Sequence, residues 1–184
     1  MTPKDAEILA RALLSDQQRR WAHVCGVARC ATELRMPEVV VTAAWLHDIG
    51  YSPEVKDTGM HAIDGAAYLQ DRGWAEEVVA LVAHHTGAWS EAESRGLSRQ
   101  LEVFDRPTEE DLDALTLCDL LIAPDGSRTT PAARIEEILL RYAPAHPVNE
   151  AVSRSRSELM ARATRAWSRL SADVRGAAPF ESVL

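Results

Sequence analysis

Val40-Val41-Thr42-Ala43-Ala44-Trp45-Leu46-His47-Asp48-Ile49-Gly50 is an apolar run at helical spacing that ends in an imidazole, a carboxylate and a glycine. Val40, Ala43 and Ala44 stand seven, four and three positions before His47, so His47 shares their face and points inward. Asp48 follows about 100° further round a 3.6-residue turn, where Val41, Ala44 and Trp45 lie. Together the two side chains can straddle one metal ion or bridge two.

The same helical periodicity fills almost every segment on either side, and alternating runs rich in Val, Ile and Thr are missing. The expected fold class is all-α. Thr2-Pro3 opens a first helix to about Leu14, and Ser15 caps a second that runs to about Leu34. Pro37 begins the third, which Gly50 stops by taking a left-handed conformation. Residues 51–60 read as a loop, followed by helices over 61–72 and 74–85 and an irregular stretch over 86–107 with at most one short helix. A helix opened by the capping-box-like Thr108-Glu109-Glu110-Asp111 runs to about Pro124-Asp125-Gly126. Two more follow Pro131 and Pro147, to Tyr142 and about Ser171, and residues 176–184 read as a frayed tail. The whole, 1–184, is expected to be a single domain with its motif-bearing core at about 20–142.

Three further polar residues fall on apolar faces. His23 shares a stripe with Val27, Cys30 and Leu34, with Arg20 one turn earlier; Asp119 lies four residues after Leu115 and three before Ile122. An unpaired carboxylate in an apolar setting costs several kcal/mol unless a counter-charge or a metal neutralises it. Each residue could be satisfied alone, His47 by a backbone carbonyl and Asp119 by Arg134 or Arg20. Two carboxylates and two imidazoles converging on one core point instead to a shared cation.

Arg20-Trp21-Ala22-His23, then Leu46-His47-Asp48-Ile49-Gly50, then Leu117-Cys118-Asp119-Leu120 resemble the HD-domain superfamily of metal-dependent phosphohydrolases, whose ligand order is His, His-Asp, Asp. The resemblance implies one metal held by His23, His47, Asp48 and Asp119. It extends to His61 and to His84-His85, similar to the extra ligands of subfamilies with two metals. Asp48 would bridge to a second ion held by His61 and His84. Adjacent helical histidines diverge by about 100°, which leaves His85 as a support for the ligands or a substrate contact. The implied cofactor is one or two divalent transition metals, iron or manganese by preference, with Co, Ni or Zn open. Arg20 is a candidate for a forked phosphate contact, with a surface ion pair as the alternative, and Asp64, one turn after His61, for orienting it or for general acid work. Many relatives have a lysine soon after the His-Asp pair; here Tyr51 stands there, and Lys56 in the following loop is a possible substitute.

The implied function is hydrolysis of a small phosphate ester, a nucleotide or related metabolite, by metal-activated water. Two alternatives stand beside it: a mixed-valence di-iron oxygenase of the same superfamily, and a non-catalytic metal- or nucleotide-binding domain. Twenty Lys and Arg against 28 Asp and Glu give a net charge of −8, which argues against polynucleotide and membrane partners. Cys25, Cys30 and Cys118 form no CxxC pair, which fits a reducing, cytoplasmic setting. Neither a signal peptide nor an apolar span is expected, and the sequence is silent on oligomeric state.

Overall fold

A computed structural model describes residues 1–177. Its described residues form eleven α-helices: α1 Pro3–Leu14, α2 Gln18–Glu33, α3 Glu38–Leu46, α4 His61–Asp71, α5 Glu76–His84, α6 Ala88–Arg95, α7 Ser98–Leu101, α8 Glu109–Leu120, α9 Pro131–Arg141, α10 Pro147–Arg169 and α11 Ala172–Ala177. No strand occurs among them beyond an isolated bridge between Ile122 and Arg128. The fold is all-α, and no helix among the described residues is long and apolar enough to cross a membrane.

The apolar α3 sits at the centre, packed by α1, α2, α5 and α8, with Val40, Ala43, Ala44 and Leu46 fully buried. Small residues along α3 let its neighbours approach closely, and leucines from α8 (Leu115, Leu117, Leu120) fill the space between. The long α10 closes the other side, lying across α8, α6 and α9.

Several boundaries differ from the sequence expectation. Ser15 does not cap the second helix but closes α1, its N–H bonding Arg11 O, and α2 starts without a side-chain cap. The third helix ends at Leu46, not Gly50. The chain then tightens into a 3-10 turn over Ile49–Tyr51, with Tyr51 N–H donating to Asp48 O. Gly50 has no left-handed backbone. Its role is close approach, because a β-carbon there would come within 2.0 Å of the carbonyl oxygen of His61. Residues 86–107 hold two short helices rather than one, and α8 stops at Leu120, before the expected Pro124. Gly126, at φ +81°, turns the chain back so tightly that a β-carbon would come within 2.6 Å of Ala22 O. Gly176, expected to be frayed, lies within α11, and the rest of that stretch, 178–184, falls outside the described residues.

Candidate metal centre

Five elements deliver the buried polar cluster. His23 comes from the middle of α2, His47 and Asp48 from the corner where α3 becomes the 3-10 turn, His61 from the first residue of α4, His85 from the residue after α5, and Asp119 from the last turn of α8. The close contact at Gly50 locks the α3 corner against the start of α4, which fixes Asp48 relative to His61. The Gly126 turn rests on α2 and presents Ala123 O to the Nδ1 of His23, 3.2 Å away.

These side chains form two triads, His23 with His47 and Asp119, and Asp48 with His61 and His85. Within each, the potential ligand atoms lie within 4.8 Å of one another. Asp48 faces both. Its Oδ2 is 3.5 Å from His47 Nε2 and 3.9 Å from His23 Nε2, whereas its Oδ1 is 3.6 Å from His61 Nε2. The carboxylate therefore offers one oxygen to each triad.

Three of the four imidazoles, those of His23, His47 and His85, are held in a common way. His47 Nδ1 meets Ala44 O at 2.9 Å and His85 Nδ1 meets Val82 O at 2.7 Å. A carbonyl accepts only, so in the neutral rings these contacts put the proton on Nδ1 and a lone pair on each Nε2. For His47 that Nε2 is buried and has no hydrogen-bond partner. The Nε2 of His85 faces the Nε2 of His61 at 3.1 Å, and His23 places Nδ1 on a carbonyl while its Nε2 lies 2.9 Å from Asp119 Oδ1. A neutral His23 has one proton for those two acceptors. Lone pairs thus converge on a buried centre where a cation would satisfy them, and backbone carbonyls holding the far nitrogens are what orients histidines toward a metal. The donor set fits a divalent transition metal.

Electrostatics agree. Burial pushes the pKa of His47 down and that of His61 well down, favouring the neutral rings that can ligate. Burial works against ionising Asp48, but the Arg20 guanidinium and the surrounding histidines hold its carboxyl well below the usual range. Asp119, also buried, is pulled down through its hydrogen bond to His23, with Arg134 adding a smaller attraction.

Arg20 is not a surface residue. Its guanidinium pairs with Asp48 Oδ2 and lies 3.8 Å over the ring of Tyr51, which stacks on His61 at a centroid distance of 4.2 Å. Arg20, Tyr51 and His61 form a continuous stack, with cation–π attraction on one side of the phenol. A carboxylate oxygen has two lone-pair directions, so its pairing with Arg20 leaves Asp48 able to ligate. Tyr51, read from sequence only as a missing lysine, thus braces two site residues. Lys56 is exposed and does not line the cavity beside the cluster.

Two placements correct the sequence expectation. His84 turns away: its Nε2 donates to Phe104 O at 3.2 Å, and it lines a separate cavity with Trp89 and Arg106. The helix ends at His84 and the backbone of His85 is extended, φ −61° and ψ 154°, which swings His85 rather than His84 to the cluster. Asp64 does not orient His61. Its carboxylate accepts from the backbone N–H groups of Asp57, Thr58 and Gly59 and from the Thr58 hydroxyl, tying down the loop before α4.

A family model described as HD domain matches residues 20–124, more than half of the chain. Comparison with curated proteins and with solved structures gives no match.

Proposed function

Because the chain belongs to the HD-domain superfamily of metal-dependent phosphohydrolases, we propose that it hydrolyses a small phosphate ester, a nucleotide or related phosphorylated metabolite, with water as the nucleophile. His23, His47, Asp119 and Asp48 Oδ2 would hold one divalent ion; Asp48 Oδ1, His61 and His85 would hold a second. Imidazole and carboxylate without thiolate suit Mn, Fe, Co, Ni or Zn, and the family resemblance favours iron or manganese among them. What such ions supply when bound is Lewis acidity, enough to make water nucleophilic near neutrality and to polarise a phosphoryl oxygen.

The chain's own residues do the positioning. Arg20 keeps Asp48 ionised and oriented, and Tyr51 holds His61 from the side. The cavity beside the cluster has Ile138, Val148, Val152 and Leu159 on its apolar wall, which suits the non-phosphate part of a compact substrate. The net charge of −8 speaks against a polynucleotide.

One observation carries the reading: the buried, partnerless Nε2 of His47, fixed by Ala44 O to face the other donors. It is tested by His47→Ala and Asp48→Ala, assayed for bound metal and for turnover of a phosphate-ester panel. Both variants should lose metal, and turnover should fall by more than about a hundredfold. Full metal content in both variants would contradict the assignment.

A further inference from the structure

The helix α9 lies beyond the family match, yet it contributes Arg134, Ile138 and Arg141, three or four residues apart and so on one face, to the cavity beside the metal cluster. Arg134 is only 6% exposed. Its Nη1 donates to Glu137, while its Nε is buried with no acceptor. Arg141 donates to the same carboxylate, through Nε at 2.8 Å and Nη2 at 2.5 Å to Oε1. One acid thus faces two guanidiniums and a buried donor lacks a partner, while the carboxylates lining the same cavity, Asp48, Glu91 and Asp119, are already paired with Arg20, Arg95 and His23. Arg20, the other cation of this wall, is already committed to Asp48.

A guanidinium is a fork suited to planar or tetrahedral oxyanions, and a buried N–H without an acceptor calls for one. We propose that Arg134 and Arg141 form an oxyanion-binding subsite in the wall of the cavity, with Glu137 as the internal carboxylate against which the ligand competes. Resting on the phosphohydrolase reading, it follows that the substrate carries a second anionic group, such as another phosphate, beyond the phosphoryl group under attack. Ile138, between the two arginines on the same face, lines the same cavity.

The test is calorimetric titration of inorganic phosphate into the full-length protein as purified, alongside Arg134→Gln, Arg141→Gln and Glu137→Gln, with metal content measured on every sample. Phosphate affinity should fall at least about tenfold in Arg141→Gln and in Arg134→Gln, and rise in Glu137→Gln, with metal content unchanged throughout. The gain on removing an acid is the signature, since damage to the fold would lower affinity in all three. Should Arg134→Gln not fold, the more exposed Arg141 and Glu137 decide alone. Affinities of the arginine variants within twofold of the parent, or no gain in Glu137→Gln, would overturn the proposal. Absence of metal from the parent protein would refute the metallohydrolase reading instead, and the affinities would still report on the subsite.

Discussion

At the residue scale the cluster turns on which nitrogen each histidine keeps free. His47 and His85 commit Nδ1 to carbonyls three residues back, Ala44 and Val82, so each Nε2 is the nitrogen left for a ligand. His84 spends its Nε2 on Phe104 O. His85→Asn should accordingly lower the metal content of the chain, while His84→Asn should leave it at the parent value; elemental analysis of the two purified variants reads this directly, and the reverse pattern would restore His84 as the ligand. The sequence showed the paired histidines but not their division of labour, because the 100° argument assumes a helix running through both. The helix ends between them. Asp64 misled in a similar way: one turn beyond His61 it looked like an orienting acid, whereas its oxygens cap the amides of the preceding loop, a partnership that spacing along one helix does not reveal.

At the element scale, α10 is docked on α8 by charge as well as by packing. Asp113 is fully buried and receives Arg165 through Nε and Nη2, both at 2.8 Å, Arg169 at 2.9 Å and Arg162 at 3.0 Å. Burial works against ionising Asp113, but the hydrogen bonds and charges of these arginines bring its pKa below the ordinary carboxylate value. A depressed folded-state pKa means the stabilisation is complete above the unfolded value near 4 and is lost as the pH falls through the folded one. Because the arginines are themselves partly exposed, Asp113→Asn should destabilise by only about 2 kcal/mol near neutrality, or roughly 4 to 8 °C in Tm. The difference between parent and variant should shrink below about pH 4; equal melting temperatures at neutral pH would show that the contact contributes nothing. This aspartate was hidden in the sequence by Glu109, Glu110 and Asp111, whose place in the first turn has a sufficient explanation in the helix dipole. The available signal was Arg162, Arg165 and Arg169, spaced to share one face of α10.

At the scale of the whole molecule, helical class was legible because periodicity is a property of every segment, and most long helices lie within a few residues of their expected places. Convergence of His23, His47, Asp48 and Asp119 was legible because burying a carboxylate demands compensation. Tyr51 was not legible as a site residue, and Arg134 was legible only as a possible partner of Asp119. Tyr51 works by stacking across an inter-element corner, and Arg134 reaches the cavity from a helix whose position depends on how α10 packs. The resulting architecture puts the cluster where α2, the α3 corner, α4, α5 and α8 meet, with the later helices α9 and α10 forming the wall beside it. On the proposed function, this meeting point holds metal between two triads joined by Asp48. Anomalous diffraction from crystals of iron- or manganese-loaded protein, collected at the metal's absorption edge, tests it most directly. The predicted result is a peak within His23, His47 and Asp119 and another within Asp48, His61 and His85; a fully loaded crystal whose peaks lie elsewhere, with none touching Asp48, would contradict it.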